Sequence, residues 1–315
     1  MKICIAGEGA QGQSYLKALK EIGDTEVVSL AGGNAQATAA VAKEWGIPHY
    51  STNLEGCLDQ PGVDAVILAT PNNLHYEQSK LAINKGKHVK VEIPLGVNLA
   101  ECEELTQLAD QSGLRCMVAH TIRFQPMMRE IYDRVATNRL NLHHVTFTSF
   151  FFRRQNINRL GQPRGWTDDI LWHHGCHFID FTYWLFGVPQ EQIEVWGQAG
   201  PVSEELGCPL DMTLAMRSPS GCLMSATLSY NTHGPLDWVF RFMGEEDTFR
   251  VYEGDRMLDH TDKVVMTEDG ENATFVLQLE EFVSSIREDR ESMTSFANVL
   301  PVMQILDRLQ HSIFD

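Results

Sequence analysis

The sequence predicts an α/β chain: a doubly wound parallel sheet first, then an α+β region with a large, mainly antiparallel open sheet. Three observations predict it. The strand-like run Lys2 to Ala6 enters Gly7-Glu8-Gly9-Ala10-Gln11-Gly12, a G-x-G-x-x-G turn with a helical segment and a second strand behind it. Strand and helix patterns then alternate to about residue 120. Beyond that point, long β-branched and aromatic runs dominate. The boundary is placed between residues 121 and 122, giving domains 1–121 and 122–315.

Each element has its own reason. After Ser14 to Ile22, a helix, comes the strand Val27 to Leu30, then helix Ala35 to Trp45, strand Ile47 to Tyr50 and a short helix near Leu54 to Leu58. Asp64 to Ala69 is nearly all apolar, as suits a central parallel strand covered on both faces. Helix Leu74 to Lys85, strand His88 to Glu92, helix Leu99 to Ser112 and strand Arg115 to Ala119 complete a Rossmann-type sheet. In the second domain, helix Met127 to Val135 precedes strands at 144–152, 193–198, 212–217, 222–230, 238–243 and 248–252. Ser218-Pro219-Ser220-Gly221 reads as a hairpin turn. Helix Leu171 to Leu185 interrupts the strands, and helices near Leu277 to Asp289 and Ala297 to His311 end the chain.

Composition narrows the function classes. Lys and Arg number 25 against 42 Asp and Glu, a net charge of −17, which disfavours nucleic acid and anionic membrane surfaces as partners. No apolar run approaches the roughly 20 residues a spanning helix needs, and the first strand begins too early for a signal peptide. The seven cysteines are scattered and odd in number, the pattern of free thiols in a reducing cytoplasm.

The glycine turn suits a dinucleotide. Gly7 permits the tight turn, Gly9 lets backbone approach a pyrophosphate, Gly12 lets helix pack on strand, and the helix N-terminus offers unpaired N–H groups. The second strand ends in Ala31-Gly32-Gly33-Asn34, without the acid that would bind an NAD ribose diol. Backbone N–H groups at Gly32 and Gly33, with Asn34, are expected to accept a 2′-phosphate, which favours NADP and leaves NAD as the second choice.

Further segments carry a resemblance. Thr70-Pro71-Asn72-Asn73-Leu74-His75 follows the fourth strand, Glu92-Ile93-Pro94 ends the fifth, and Trp172-His173-His174-Gly175-Cys176-His177-Phe178-Ile179-Asp180 opens a helix. At these residues the whole chain resembles the Gfo/Idh/MocA oxidoreductases. The resemblance implies a Rossmann domain followed by an α+β domain, with NAD(P) as cofactor. It implies that Gly7, Gly9, Gln11 and Gly12 hold the pyrophosphate and that Thr70, Asn72 and His75 line the ribose and nicotinamide side. Glu92 and Pro94 match the family's Glu-Lys-Pro motif, with Ile93 standing where the lysine is usual. On the helix the family's Asp, His and Asp fall on His173, His177 and Asp180, so the first acid is replaced by an imidazole.

The residues support chemistry independently. The spacing of His173, His177, Asp180 and Trp184 puts all four on one helical face. A histidine near its ordinary pKa takes a hydroxyl proton at neutral pH, as oxidation of an alcohol or hemiacetal requires. His177 is the first candidate base, with His173 beside it and Asp180 orienting His177. A satisfied core face and a metal site are the competing readings of this stripe, and no metal is expected because no usual zinc spacing completes it. In this acidic chain, Arg153, Arg154, Arg159 and Arg164, flanked by Phe151, Phe152 and Trp166, form a basic cluster suited to carboxylates. Arg123 and Arg241 are expected to join it, and His174 and Trp166 complete the substrate set.

The expectation is an NADP-preferring dehydrogenase acting on a small carboxylated hemiacetal or alcohol. A broad open sheet also leaves a face and edges to cover, so a homodimer or homotetramer through the second-domain sheet is expected. The alternatives are a sugar, polyol or dihydrodiol dehydrogenase, and a non-catalytic NAD(P)-binding regulator.

Overall fold

The computed structural model describes residues 1–153, 155–157, 167, 169–234, 236–252, 254–267 and 271–314. The chain divides into two compact units. One comprises Met1–His120 with Asn272–Leu300, the other Thr121–Glu271 with Pro301–Asp315.

The first unit is built on β1 (Lys2–Ala6), α1 (Ala10–Leu19), β2 (Glu26–Ala31), α2 (Ala35–Trp45), β3 (His49–Ser51), α3 (Leu54–Leu58), β4 (Val63–Leu68), α4 (His75–Asn84), β5 (His88–Val91), α5 (Leu99–Ser112) and β6 (Cys116–Val118). The strands pair in the order β3-β2-β1-β4-β5-β6, all parallel. The order reverses between β1 and β4, and beyond the carboxyl ends of those strands such sheets bind ligands. β4 is buried along all but Asp64, as its apolar run predicts. Asn34, Asn53 and Asn98 start α2, α3 and α5 by accepting hydrogen bonds from first-turn N–H groups.

The second unit opens with a 3-10 turn at Thr121–Phe124 and α6 (Pro126–Ala136). β7 (Leu142–Phe150) follows, then a π-helical turn at Ile170–Gly175 that runs into α7 (Cys176–Phe186). β8 (Glu194–Ala199), β9 (Asp211–Arg217), β10 (Leu223–Ser229), β11 (Asp237–Gly244), β12 (Thr248–Tyr252), β13 (Arg256–Leu258) and β14 (Val264–Thr267) complete a sheet ordered β14-β13-β12-β11-β7-β10-β9-β8. Only the β7–β10 pairing is parallel. β9 and β10 form the hairpin read from Ser218 to Gly221. One face of the sheet is apolar and packs on α7: Phe178 lies 5.0 Å from Phe147 and 5.7 Å from Phe240, and Phe181 lies 5.9 Å from Phe242. The other face is polar, following the period of two along each strand.

The chain ends in α8 (Glu271–Arg287) and α9 (Phe296–Phe314), the latter carrying Pro301 inside it. Residues 272–300 return to the first unit, which a single cut at 121/122 does not describe. Phe275 meets the Tyr15 ring edge-on at 5.1 Å. The Val118 N–H donates to the Thr294 carbonyl (2.8 Å), and the Thr294 hydroxyl donates back to the Val118 carbonyl (2.7 Å). Periodicity along a chain reports which face of a helix is buried, not which unit buries it. The short strands β13 and β14 also escape the periodic reading. Among the described residues, no helix is long and apolar enough to cross a membrane.

Candidate dinucleotide site and imidazole cluster

The glycine turn of the first unit is held by sterics. Gly7 has φ +114°, and a Cβ there would stand 2.3 Å from the Ala69 carbonyl oxygen. A Cβ on Gly12 would lie 1.9 Å from the Gly7 carbonyl oxygen, so this glycine lets α1 press on the turn. Gly9 precedes α1 and has nothing within 4 Å of where a Cβ would go. The first turn of α1 carries no acid. Two glycines thus close the backbone, while the middle one leaves open space before a helix N-terminus, which fits a pyrophosphate.

At the end of β2 the structure departs from the sequence expectation. The Gly32 N–H donates to the Ser51 carbonyl (3.0 Å). The Gly33 N–H (3.0 Å) and the Asn34 N–H (2.9 Å) both donate to the carboxylate of Glu8. The Asn34 side chain caps α2 through the Gln36 and Ala37 N–H groups, at 3.0 Å each. The donors expected to receive a 2′-phosphate are therefore already engaged, two of them by an anion from the glycine turn itself.

Beyond β4 and β5, His75 is buried, with Nδ1 2.8 Å from the Pro94 carbonyl and Nε2 2.9 Å from the Thr70 carbonyl. It lies between the two loops that carry Thr70, Asn72 and Pro94, with a backbone carbonyl facing each ring nitrogen. Burial lowers its pKa, while the two carbonyls act in the opposite sense. The Thr70 hydroxyl donates to Gln78 (2.5 Å), and half-buried Asn72 opens a 3-10 turn. Gln11 donates to Glu92 (2.7 Å), and the Tyr15 hydroxyl donates to the same carboxylate oxygen. Lys90, wholly buried, donates to Tyr15 and to Gln278 (3.1 Å). Lys90 thus reaches Glu92 through Tyr15, a connection invisible in the sequence because its two links join residues 75 and 77 positions apart.

In the second unit, Asp169 caps the π-helical turn through the Leu171 and Trp172 N–H groups, at 2.8 Å each. The wider turn alters the expected stripe. His173 and His174 meet edge-on at 4.9 Å, and His174 and His177 each lie 6.3 Å from Trp238. His174 also contacts Phe151 (5.2 Å) and Tyr230 (5.5 Å). All three imidazoles are half-buried. Asp180 is fully buried and accepts the Arg123 guanidinium through both oxygens, from Nε at 2.8 Å and Nη2 at 2.6 Å. The same guanidinium lies 5.3 Å from the Trp184 ring, which stacks on Tyr132. Arg123, expected as a substrate clamp, thus forms a buried pair with the acid expected to orient His177. Among the described residues, no group of three or more His, Cys, Asp or Glu side chains is placed to hold a metal ion.

Of the arginine cluster, Arg153 lies 5.6 Å from the Tyr230 ring and donates to Asn156 (3.2 Å). Arg154, Arg159, Arg164 and Trp166 lie outside the described residues. Arg241 does not join: it is exposed, alternating with buried Phe240 and Phe242, and so faces away from the imidazoles. Sequence reasoning missed Tyr230 and Trp238, which strand pairing brings beside the histidines. It also missed Glu8, whose one signal was a carboxylate inside the glycine motif of a chain lacking an acid after β2.

Residues 1–120 match the Gfo/Idh/MocA model, an oxidoreductase family with an NAD-binding Rossmann fold, and residues 126–269 match a model of bacterial oxidoreductases, C-terminal. A 4-carboxy-2-hydroxymuconate-6-semialdehyde dehydrogenase of Sphingobium sp. is 36% identical over 311 residues, 98% of each chain. A scyllo-inositol 2-dehydrogenase (NADP(+)) of Bacillus subtilis is 27% identical over 193 residues, 60% of this chain and 53% of its own. The scyllo-inositol dehydrogenase of Lactobacillus casei, solved with NAD(H) and scyllo-inositol, superposes with a TM-score of 0.81 at 17% identity, covering 99% of this chain and 96% of that one. A levoglucosan dehydrogenase solved with NADH and L-sorbose gives 0.86 at 18% identity, with coverage of 99% and 96%. At such identities the likeness is one of fold.

Proposed function

The chain belongs to the Gfo/Idh/MocA family of NAD(P)-dependent oxidoreductases acting on CH–OH groups, and from that membership we propose that it oxidises a carboxylated hemiacetal or alcohol. The substrate proposed is 4-carboxy-2-hydroxymuconate-6-semialdehyde in its cyclic hemiacetal form, giving 2-pyrone-4,6-dicarboxylate. The observation that carries the reading is the gathering of His173, His174 and His177 with Arg153 around Tyr230 and Trp238 in an otherwise acidic protein. A ring bearing two carboxylates is the kind of ligand that guanidinium and imidazole groups on an aromatic floor bind well.

When bound, NAD(P) supplies the acceptor for the hydride that leaves the carbinol carbon. The chain supplies the rest. His177 takes the hydroxyl proton, so that the carbinol becomes a carbonyl without a buildup of negative charge on oxygen. His173 and His174 pack beside it, Arg153 holds a carboxylate, and the buried Arg123–Asp180 pair fixes the helix that presents His177. On the first unit, the space at Gly9 receives the pyrophosphate.

The test is NAD(P)H formation from this semialdehyde acid, with polyols, sugars and dihydrodiols as comparison substrates. His177→Asn is expected to lower kcat roughly 100-fold or more. Arg153→Met is expected to raise KM for the acid about tenfold or more. Full turnover by both variants refutes the assignment. The likeness to a scyllo-inositol 2-dehydrogenase supports a second reading, a neutral polyol substrate, for which Arg153→Met leaves KM unchanged.

The polar sheet face, on which Trp196 and Leu223 stand exposed, is proposed to self-associate into a dimer or tetramer, which light scattering would register. The seven cysteines are scattered along the chain, odd in number and buried, a pattern that supports residence in the cytoplasm.

A further inference from the structure

We infer that Glu8 selects NAD over NADP by occupying, from within the glycine turn, the place an acid after β2 takes in other dinucleotide folds. The inference rests on the nucleotide site proposed above. A discriminating acid normally follows the second strand, roughly 20 residues beyond the glycine motif. Gly32 stands there, and it must stay bare: a Cβ on it would lie 2.0 Å from the Thr38 hydroxyl oxygen. The same Cβ would lie 2.9 Å from the Glu8 Oε2 atom. The carboxylate missing from the strand end is thus present at almost the same point in space, delivered from the opposite side of the loop.

Its hold is specific. The Gly33 N–H meets both carboxylate oxygens at 3.0 Å, and the Asn34 N–H meets Oε1 at 2.9 Å. Two amides fix the carboxylate, and an ionised carboxylate has acceptor capacity left for a ribose diol. A 2′-phosphate needs the same two amides. It would have to displace Glu8 and then remain beside its negative charge. Residues 31–38, Ala-Gly-Gly-Asn-Ala-Gln-Ala-Thr, offer no arginine or lysine to offset that repulsion. The sequence expectation of NADP counted the amides correctly and missed the anion already seated on them.

Calorimetric titration of the full-length protein with ADP-ribose and with 2′-phospho-ADP-ribose tests this without turnover. The wild type is expected to bind ADP-ribose at least about tenfold more tightly. Glu8→Gln keeps the shape and removes the charge, and Glu8→Ala vacates the seat. Both are expected to narrow the ratio about tenfold or more, chiefly by strengthening the phosphorylated ligand. Thermal unfolding of each variant establishes that it is folded when titrated. Tighter wild-type binding of 2′-phospho-ADP-ribose overturns the inference, as does an unchanged ratio in both folded variants. Binding of neither compound by the wild type overturns the nucleotide site itself, and the inference with it.

Discussion

Lys90 shows how a single buried group imprints itself on stability. Burial pushes its pKa down to about 8, against the opposing attraction of Glu92. The unfolded chain holds the same ammonium in water near its ordinary 10.5. Below about pH 8 both states carry the proton and the folded state bears the cost of a buried charge. Between about 8 and 10.5 the unfolded chain binds the extra proton, so stability rises with pH across that window. Tyr15 does not titrate there, because burial first and Glu92 second raise its pKa well above the usual phenol value. Lys90→Met removes the term. Its stability relative to wild type is therefore expected to be greater at pH 7 than at pH 10, by up to roughly 3 kcal/mol, in paired urea unfolding at the two pH values. A second residue-scale prediction concerns Asp180. Removing one partner of a buried ion pair takes away an attraction that offsets the desolvation of the other, so Asp180→Ala is expected to cost about 3–5 kcal/mol. Arg123→Met combined with Asp180→Leu is expected to recover most of that loss in the same unfolding assay.

Elements set the geometry that those residues exploit, and the glycine turn separates folding from binding. Gly12→Ala places a methyl against the Gly7 carbonyl, and backbone must move. It is expected to lower the unfolding midpoint and weaken ADP-ribose binding together. Gly9→Ala meets no protein atom. It is expected to unfold like the wild type and to lose binding alone, which calorimetry beside thermal unfolding distinguishes. The turn, its flanking strand and its helix were legible in the sequence because each is a local pattern. So were the six parallel strands and the β9–β10 hairpin. The π-helical turn was not: its residues satisfy a helical period well enough, and one wider turn leaves no mark in composition, although His174 as well as His177 comes to lie 6.3 Å from Trp238. The pairing of Arg123 with Asp180 was equally hidden, since each alone reads as a functional charge and only the fold brings them together, 57 positions apart.

For the whole molecule, the return of residues 272–300 matters most. They give the first unit the Thr294 partner of β6, the Gln278 partner of Lys90 and the Phe275 ring against Tyr15. A fragment of residues 1–120 alone is expected to lack a cooperative thermal transition, by circular dichroism, and the same fragment joined through a flexible linker to 272–300 is expected to regain one. The charge of −17 acts at this scale too, since any anionic ligand must be drawn in by local cations against the field of the entire surface.

The residues that close the edge beside β6 follow it along the chain, Thr294 standing 176 positions after Val118. During synthesis, then, the six-stranded sheet emerges early but waits, its edge beside β6 uncovered, until residues 272–300 have also left the ribosome. Truncated products and stalled nascent chains of this protein would share that exposed edge, and would be natural clients for chaperones.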